Sequence, residues 1–346
     1  MNSIHWSIKK TKLATSTRRE SHVKWLWKSG DNIWCNYSDI ETEIIEESYK
    51  RNESIVALDN YHIDFEHFIQ ISNNNSNKQR AIKRVVDDNE QVKLREERFL
   101  PNPIVPAAPF ADLDSNNFVK AVRDHFNLNQ LHLNDDAERK FLVQKAVEGL
   151  ITEGKKTGRQ KEGEWLAQQL HYVENGTREE VWQCCARLYC MQSFLYLKMN
   201  EWMRIINDQQ QQHIWQSKID TFGPFACLLF KPSGNERNKT FNVYRGAYLS
   251  EELIEHYRSK CTKTNEEFLF PAFTSTSRNQ AKAEQFGNVL FVIEISDYDS
   301  YDVSPYSAFD EEEQLIQPSF TFYIRSCQFN ENKNKWIIHL KSFLST

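Results

Sequence analysis

The pattern of hydrophobic and polar positions divides the chain into three segments. Residues 23–84 hold short runs rich in Trp, Tyr and Ile between polar turns, which predicts a small sheet with one helix over 39–51. Residues 118–208 carry long helical patterns, clearest over 179–206. From residue 222 onward the pattern predicts strands, so we expect an α+β protein. The strands predicted in this last segment are 225–230, 241–244, 289–295, 320–324 and 336–340.

Turn and cap residues set narrower boundaries in these segments. Polar residues 29–32 separate two apolar runs, which predicts a hairpin, and Ser38 or Asp39 can cap the helix that follows. The run 209–212 is expected to end or extend the last long helix. The remaining predictions for the first segment are strands over 54–58, 61–71 and 80–86, with a turn over 72–77.

A proline-rich stretch separates two domains. Closely spaced prolines prevent a regular helix and favour extended backbone, so residues 87–109 read as a linker. The first domain then covers residues 1–86 and the second covers residues 110–346. The prolines are Pro101, Pro103, Pro106 and Pro109.

Composition favours a globular protein in a reducing compartment. Hydrophobic residues make up 40% of the chain and charged residues 26%, and no apolar run approaches the length of a membrane span. A formal net charge of −5 over 346 residues gives no reason to expect nucleic acid or a membrane as a partner. Seven scattered cysteines without CxxC spacing predict reduced thiols, so we expect a cytoplasmic protein without a bound metal. Cys184, Cys185 and Cys190 are expected to be small buried residues of a helix.

Three segments of the strand-rich half carry polar residues that a plain sheet does not need. They are 243–246 (V-Y-R-G), 273–277 (F-T-S-T-S) and 310–316 (D-E-E-E-Q-L-I), in the order Arg, Ser, Glu. Each segment alone is typical of a solvated surface. Their combination and order resemble the Arg-Ser-Glu class of mono-ADP-ribosyltransferases, and the resemblance covers roughly residues 110–344.

The resemblance extends beyond these segments. Residues 283–287 and the apolar run 289–293 are similar to the family's helix and strand after the Ser segment, and Pro318 follows the Glu strand as the family pattern expects. Gln314 stands where relatives usually have Val. The resemblance implies a helical region followed by a split β-sandwich, with NAD as co-substrate and no metal.

The chemistry of this class explains the residue types. Breaking the bond between nicotinamide and ribose creates an oxocarbenium-like cation, which a carboxylate stabilises. By resemblance that carboxylate belongs to Glu313, which holds a ribose hydroxyl and is oriented by Ser275. Arg245 would bind the pyrophosphate because its planar fork bonds two oxygens at once, and Gly246 would let the backbone approach the nicotinamide amide. Phe286 is a candidate for contact with the nicotinamide ring, or equally a core residue of its helix.

A second carboxylate indicates the acceptor. Glu311 precedes Glu313 by two residues, so in extended backbone both face one side while Glu312 faces away. In the resembled family this E-x-E spacing goes with arginine as the acceptor, whose guanidinium the first Glu engages; the alternative is a solvated acidic loop. The preceding loop, 297–309, lies where the family recognises its acceptor, and its rings either contact the protein substrate or only pack the loop. These rings are Tyr298, Tyr301, Tyr306 and Phe309.

The first domain resembles a WWE domain, a half-barrel sheet with one helix, over roughly residues 23–86. The resemblance rests on Trp25, Trp34, Tyr37, Asp64, Phe65, Gln70, Arg80, Lys83 and Arg84. Trp25, Trp34 and Tyr37 are expected to build the core. By family spacing, the residues that bind the ADP-ribose units of poly(ADP-ribose) are Trp27, Tyr61, Gln70 and Arg80, with Trp27 in place of the usual Tyr. Some WWE domains serve only in protein contacts, and this alternative stays open.

These resemblances predict an intracellular mono-ADP-ribosyltransferase that modifies an exposed arginine on a protein and releases nicotinamide. Its first domain would direct it to poly(ADP-ribose) or ADP-ribosylated proteins. Two alternatives stay open: an NAD glycohydrolase, in which water replaces the acceptor, and a catalytically inactive ADP-ribose-binding module. Labelled NAD separates them, because only a transferase leaves label on protein.

Overall fold

A computed structural model describes residues 22–30, 33–87, 110–112, 117–128, 134–206, 208–230, 239–261, 266–307 and 311–343. The first domain contains β1 (His22–Lys28), β2 (Trp34–Asn36), α1 (Asp39–Lys50), β3 (Ile55–Ala57), β4 (Tyr61–Asp64), β5 (Ile69–Ser72) and β6 (Asn75–Asp87). After β7 (Ala111–Asp112), a helical segment contains α2 (Phe118–Phe126), α3 (Asp136–Lys156), α4 (Gln160–Tyr172), α5 (Arg178–Cys190), α6 (Phe194–Arg204), α7 (Gln212–Gln216) and α8 (Gly223–Leu229). The last segment contains β8 (Thr240–Ala247), α9 (Glu251–Lys260), β9 (Glu267–Phe270), β10 (Thr274–Ser277), α10 (Gln280–Ala283), β11 (Val289–Ser296), β12 (Ser300–Asp302), β13 (Glu313–Ile316), β14 (Phe320–Asn330) and β15 (Lys335–Ser342).

The first domain is one antiparallel sheet in the order β2-β1-β6-β5-β4-β3, with α1 packed against β1 and β3. The predicted hairpin and helix are confirmed, and α1 begins with a capping box between Ser38 and Glu41. Trp25 and Tyr37 are buried in the core as expected. Of the predicted linker, 87–109, Asp87 is the last residue of β6, and residues 88–109 lie outside the described residues.

Trp34 is not a core residue, contrary to expectation. It pairs with Lys28 across the hairpin, and side chains alternate along a strand, so it lies on the face opposite Trp25. The ammonium group of Lys83 lies 4.2 Å from the centre of its ring. Trp34 therefore covers the outer face of the sheet.

Two predicted boundaries in this domain are wrong. The strand over 61–71 is divided between β4 and β5, because the chain reverses before Ile69, with Phe68 in the left-handed region at φ 52°. The polar run 72–77 is a turn only at its start, since β6 begins at Asn75, which pairs with Ser72. Asn and Ser favour turns, but here strand pairing in the sheet holds them in extended backbone.

The helix predicted over 179–206 is interrupted. α5 ends at Cys190, Met191 is extended (ψ 149°), and α6 begins at Phe194. The N–H groups of Gln192 and Phe194 donate to the carboxylates of Asp39 and Glu162 instead of to helical carbonyls. Distant side chains therefore stabilise this break, which the local pattern does not contain.

Two further predictions in the helical segment need correction. The run 225–230 is helical as far as Leu229; α8 is buried on all sides, so its sequence has no periodicity that separates a helix from a strand. The run 209–212 neither ends nor extends α6; after a short 3-10 turn over Gln209–Gln211 it begins α7. The expected burial of Cys184, Cys185 and Cys190 is confirmed.

The last segment forms a nine-stranded sheet in the order β12-β13-β10-β8-β11-β15-β14-β9-β7. β11 and β15 are parallel, and the other described pairs are antiparallel. Phe273 and Leu315 belong to the core of the helical layer, whereas Val243, Phe291 and Ile338 belong to a second core beneath α9. The sheet thus divides between two cores, and the predicted α+β architecture with a split sandwich is confirmed.

The first domain packs directly on the helical layer. Ile40 of α1 is fully buried in the core of that layer. Trp165 Nε1 of α4 donates to Glu47 of α1 at 3.2 Å, and Asp59 accepts from the backbone N–H of Lys161 at the start of α4. The contact between the domains is thus both apolar and hydrogen-bonded.

Candidate active site

The sheet brings together the three polar segments noted in the sequence. β13, β10 and β8 are neighbours, and Ser277 pairs with both Glu313 and Tyr244. The guanidinium of Arg245 donates to the carbonyl oxygen of Ser275 at 2.7 Å. Residues that lie up to 68 positions apart in the sequence (245 to 313) therefore occupy one end of three adjacent strands.

The acidic run at the start of β13 differs from the extended backbone we expected. Glu312 has φ 48°, which is left-handed, so the chain turns there and β13 begins at Glu313. Glu311 and Glu313 are nevertheless both 1% exposed. Glu312 is partly exposed and forms an ion pair with Lys282 at 3.0 Å. Two carboxylates thus face inward and one outward, through a turn rather than through strand alternation.

A thiol contacts the Glu313 carboxylate. Cys190 Sγ, at the end of α5, lies 3.7 Å from Glu313 Oε2 in hydrogen-bonding geometry. Two further hydrogen bonds fix the same residue, because the Glu313 backbone carbonyl accepts from Val303 N–H at 3.1 Å and from the Ser304 hydroxyl at 3.3 Å. The contact with Cys190 could not be read from the sequence, since 123 positions separate the two residues.

Arg245 lies beside a second guanidinium. Loss of hydration, followed by the charge of Arg204, lowers the pKa of Arg245 to about 10, so Arg245 is still protonated at neutral pH. Burial also lowers the pKa of Arg204. Two cations held together in a poorly hydrated site favour an anionic ligand such as a pyrophosphate.

Helix α6 contributes residues that the sequence reading missed. Tyr196, Asn200 and Arg204 recur every four residues, so they lie on one face of the helix. Tyr196 and Asn200 are buried, and Tyr196 lies close enough to Arg245 to act on its pKa. Asn200 Oδ1 is buried without a hydrogen-bond partner among the described residues. The available signal was this polar stripe on a helix whose other residues are mostly apolar, and the unpaired oxygen fits a ligand that donates hydrogen bonds.

Gly246 has a packing role in this structure. A side chain there would clash with the Ala283 carbonyl oxygen, 2.1 Å from a Cβ atom, and with Phe286. The absence of a side chain therefore lets the end of α10 lie directly on β8. Phe286 is 7% exposed, so the candidate for nicotinamide contact is mostly enclosed at this position.

The loop before β13 packs on α5. The rings of Tyr301 and Tyr306 each lie edge-on to Trp182, with centroids 5.6 Å apart. Arg278, which follows β10, forms an ion pair with Asp302 at 2.7 Å. Tyr298 is partly exposed, and Phe309 lies outside the described residues. Two of the four aromatic residues therefore hold the loop against the helical layer.

The predicted reader residues lie on one face of the first sheet. Gln70 pairs with Arg80 on one neighbouring strand and with Ile63 on the other, and Tyr61 lies two residues before Ile63. Trp27 pairs with Ile82, which lies two residues after Arg80. The Arg80 guanidinium lies 4.6 Å from the centre of the Trp27 ring. This is the face that carries the core residues Trp25, Ile63 and Ile82.

Tyr37 belongs to the same cluster. Its hydroxyl donates to Gln70 Oε1 at 2.5 Å, and both side chains are buried. Burial, with the charges of Glu41 and Tyr61, raises the pKa of the Tyr37 hydroxyl, while Arg80 opposes the rise. The hydroxyl thus stays protonated and acts as a fixed donor that orients Gln70.

No helix in the described ranges is long and apolar enough to cross a membrane. Among the same residues, no group of three or more His, Cys, Asp or Glu side chains is arranged to hold a metal ion.

Comparison with known families identifies both domains. Residues 23–84 match the WWE domain, and residues 158–346, more than half of the chain, match the family "NAD:arginine ADP-ribosyltransferase". The chain therefore belongs to the NAD:arginine ADP-ribosyltransferase family and carries a WWE domain before the catalytic domain. It is an NAD-dependent mono-ADP-ribosyltransferase, with NAD as co-substrate.

Solved structures with a similar fold include bacterial proteins. Exoenzyme S from Pseudomonas aeruginosa is 16% identical and aligns over 58% of this chain and 88% of that chain, with a TM-score of 0.37. HopU1 of Pseudomonas syringae pv. tomato is 16% identical over 62% of this chain and 100% of that chain, with a TM-score of 0.41. The effector XopAI of Xanthomonas axonopodis pv. citri is 13% identical over 65% and 96%, with a TM-score of 0.41. No curated protein sequence matches the chain significantly.

Proposed function

We propose that this enzyme transfers ADP-ribose from NAD to an arginine side chain of a protein, with Glu313 and Glu311 in separate roles. The observation that carries the proposal is the pair of buried carboxylates, Glu311 just before β13 and Glu313 at its start, with β10 between β13 and the strand that bears Arg245. One of them stabilises the ribosyl cation, and the other receives the acceptor.

In the proposed reaction, the bond between C1′ of the ribose and the nicotinamide nitrogen breaks, and nicotinamide leaves with the bonding electrons. The carboxylate of Glu313 stabilises the oxocarbenium-like cation that remains. A guanidinium nitrogen of the acceptor then forms the new bond to C1′. Its proton passes to Glu311, which acts as general base.

The remaining residues would hold the dinucleotide. Arg245 and Arg204 bind the pyrophosphate, which neutralises the two neighbouring cations. Ser275 pairs with Leu315, two residues from Glu313 on β13, and would support the position of the Glu313 carboxylate. Gly246 and Phe286 form the boundary of the site at its nicotinamide end, where the packing of α10 on β8 determines the shape of the site.

Three glutamate variants test the two roles. Glu313→Gln removes the charge that faces the cation, so we expect total NAD cleavage to fall roughly a hundredfold or more. Glu311→Gln leaves that charge in place, so water still captures the cation and hydrolysis rises relative to transfer. Glu312→Gln is the matched control, because Glu312 is adjacent but faces Lys282. Labelled protein and free ADP-ribose are measured in the same reaction.

Each outcome has a defined meaning for folded variants. Near wild-type cleavage by Glu313→Gln would remove the central assignment. Equal losses of transfer and hydrolysis in Glu311→Gln would place Glu311 in NAD cleavage rather than acceptor recognition. If the wild-type enzyme releases nicotinamide and ADP-ribose but labels no protein or arginine analogue, glycohydrolase activity replaces the proposal.

We further propose that the WWE domain binds poly(ADP-ribose) or ADP-ribosylated proteins. The clustering of Trp27, Tyr61, Gln70 and Arg80 on one sheet face supports this, as does the orientation of Gln70 by Tyr37. An arginine beside an aromatic ring suits a ligand that alternates adenine rings with phosphates.

Binding can be measured in the full chain with Glu313→Gln as background, which prevents turnover. Arg80→Ala should weaken poly(ADP-ribose) binding about tenfold, since a charged hydrogen bond is worth about 1.5–3 kcal/mol. Lys83→Ala is the control, because Lys83 lies on the outer face over Trp34. If the Glu313→Gln chain without further substitution does not bind poly(ADP-ribose), the domain is better described as a protein-contact module.

A further inference from the structure

The junction between α5 and α6, residues 191–193, lies between the catalytic site and the first domain. On one side it follows Cys190, which contacts Glu313, and on the other it precedes α6, which carries Tyr196, Asn200 and Arg204. The path of the chain at this junction therefore sets the position of residues on two sides of the site.

Two carboxylates hold the junction in place. Asp39 Oδ2, in the first turn of α1, accepts from Gln192 N–H at 2.8 Å. Glu162 Oε1 of α4 accepts from Phe194 N–H at 2.6 Å. Because Met191 leaves the helical conformation, these N–H groups need acceptors from outside the two helices. The first domain supplies one of them.

The contact of Asp39 is part of a buried interface rather than a surface encounter. The next residue, Ile40, is fully buried in the core of the helical layer, and Ile44 packs against the same core one turn later. α1 is thus fixed relative to the junction by apolar packing, and a fixed acceptor can define the position of Gln192 N–H.

We infer that Asp39 and Cys190 are positioning residues for the transfer reaction: the WWE domain holds the α5–α6 junction, and through Cys190 the junction holds Glu313. This inference rests on the proposed role of Glu313. Neither residue reacts with substrate. The first domain is, in this view, a structural part of the catalytic unit in addition to any ligand that it binds.

The size of the effect follows from the geometry that catalysis requires. A displacement of about 1 Å in a group that faces the reacting centre costs roughly a hundredfold in rate. Loss of one hydrogen bond to a carboxylate displaces it only partly, so we expect about a tenfold fall in kcat/KM for each single variant.

The test uses paired variants of the full chain. Asp39→Ala removes the acceptor, whereas Asp39→Asn keeps an oxygen that can accept from Gln192 N–H. Cys190→Ala removes the donor, whereas Cys190→Ser keeps one. Glu47→Ala is the matched control, because Glu47 lies on the same helix and bonds across the same interface, but to Trp165 of α4. Melting temperature and NAD cleavage are measured for each variant.

The expected result is a tenfold loss in both alanine variants, recovery in Asp39→Asn and Cys190→Ser, and unchanged cleavage in Glu47→Ala. The double variant Asp39→Ala/Cys190→Ala should lose no more than the worse single variant, because both act through one junction. Equal losses in Asp39→Ala and Glu47→Ala would overturn the inference, since any weakening of the interface would then suffice. Additive losses would overturn the shared route.

Glu313→Gln, assayed in parallel, separates this inference from the proposed function. If that variant is inactive while Asp39→Ala and Cys190→Ala cleave NAD at the wild-type rate, the positioning role fails and the proposed function stands. If Glu313→Gln retains wild-type cleavage, the proposed function itself fails.

Discussion

Two partly or fully buried clusters of charged side chains differ in how their charges are arranged: one pairs opposite charges, and the other places like charges together. In the first domain, Glu46 is 6% exposed, accepts two hydrogen bonds from Arg84 at 2.8 and 2.9 Å, and accepts one from Trp25. Burial alone would raise the pKa of Glu46, but these hydrogen bonds outweigh it and the pKa lies below its usual value. In the catalytic domain, Arg245 lies beside Arg204, and the pKa values of both are lowered.

The difference distinguishes charged groups that stabilise the fold from charged groups that serve a ligand. The Glu46 cluster is matched in charge, so its stabilisation is complete within the protein. The Arg204 and Arg245 cluster places like charges together, and Glu201, whose negative charge acts on Arg204, is itself paired with Lys198. Such an arrangement costs stability in the free protein and favours an anionic ligand.

The largest expected effect is on catalysis, from Arg245→Lys. Lysine keeps the charge but loses the planar fork, so we expect kcat/KM for NAD to fall roughly a hundredfold while the melting temperature stays within a few degrees. Steady-state kinetics and thermal melting measure the two quantities. A variant with normal kinetics would show that the site needs only a positive charge there.

A smaller catalytic effect is expected from Arg204→Gln, about tenfold in kcat/KM. The removal of a neighbouring cation also relieves Arg245, so the free protein should be at least as stable as the wild type. Denaturant unfolding with and without NAD tests both points, because the variant should gain less stability from NAD than the wild type does. A marked loss of stability without NAD would mean that Arg204 has a structural role.

The smallest effect on activity, with a clear effect on stability, is expected from Glu46→Gln. The unfolding free energy of the first domain should fall by about 2 kcal/mol at neutral pH, because Arg84 loses its charged partner. Glu53→Gln is the control, since its ion pair with Arg51 is exposed and contributes little. NAD cleavage should be unchanged in both variants.

The stability difference between the wild type and Glu46→Gln should depend on pH. The folded pKa of Glu46 is depressed, so its stabilisation is fully present above the unfolded pKa and is lost as pH falls through the folded pKa. The difference between wild type and Glu46→Gln should therefore shrink on acidification and vanish once Glu46 is protonated. A constant difference from neutral to acidic pH would contradict this assignment.

Much of the fold and the centre of the site could be predicted from the sequence. The helix that begins after Ser38, the strands β8, β11, β14 and β15, and the order of Arg245, Ser275 and Glu313 depend on local patterns that survive folding. The errors have different causes. α8 is buried on every side, so its sequence carries no periodicity, and Trp34 lies on the outer face because strand alternation relative to Trp25 puts it there.

The sequence by itself determined which residue types are available and in what order. They are an arginine, a serine and two glutamates that suit ribosyl transfer, and a set of aromatic and polar residues in the first domain. Tertiary structure decided how they meet. The turn at Glu312, the break at Met191 and the approach of Cys190 to Glu313 depend on partners 30 or more positions away, such as Lys282 and Asp39. Local propensity does not encode such contacts, because their free energy appears only when separate elements have packed together.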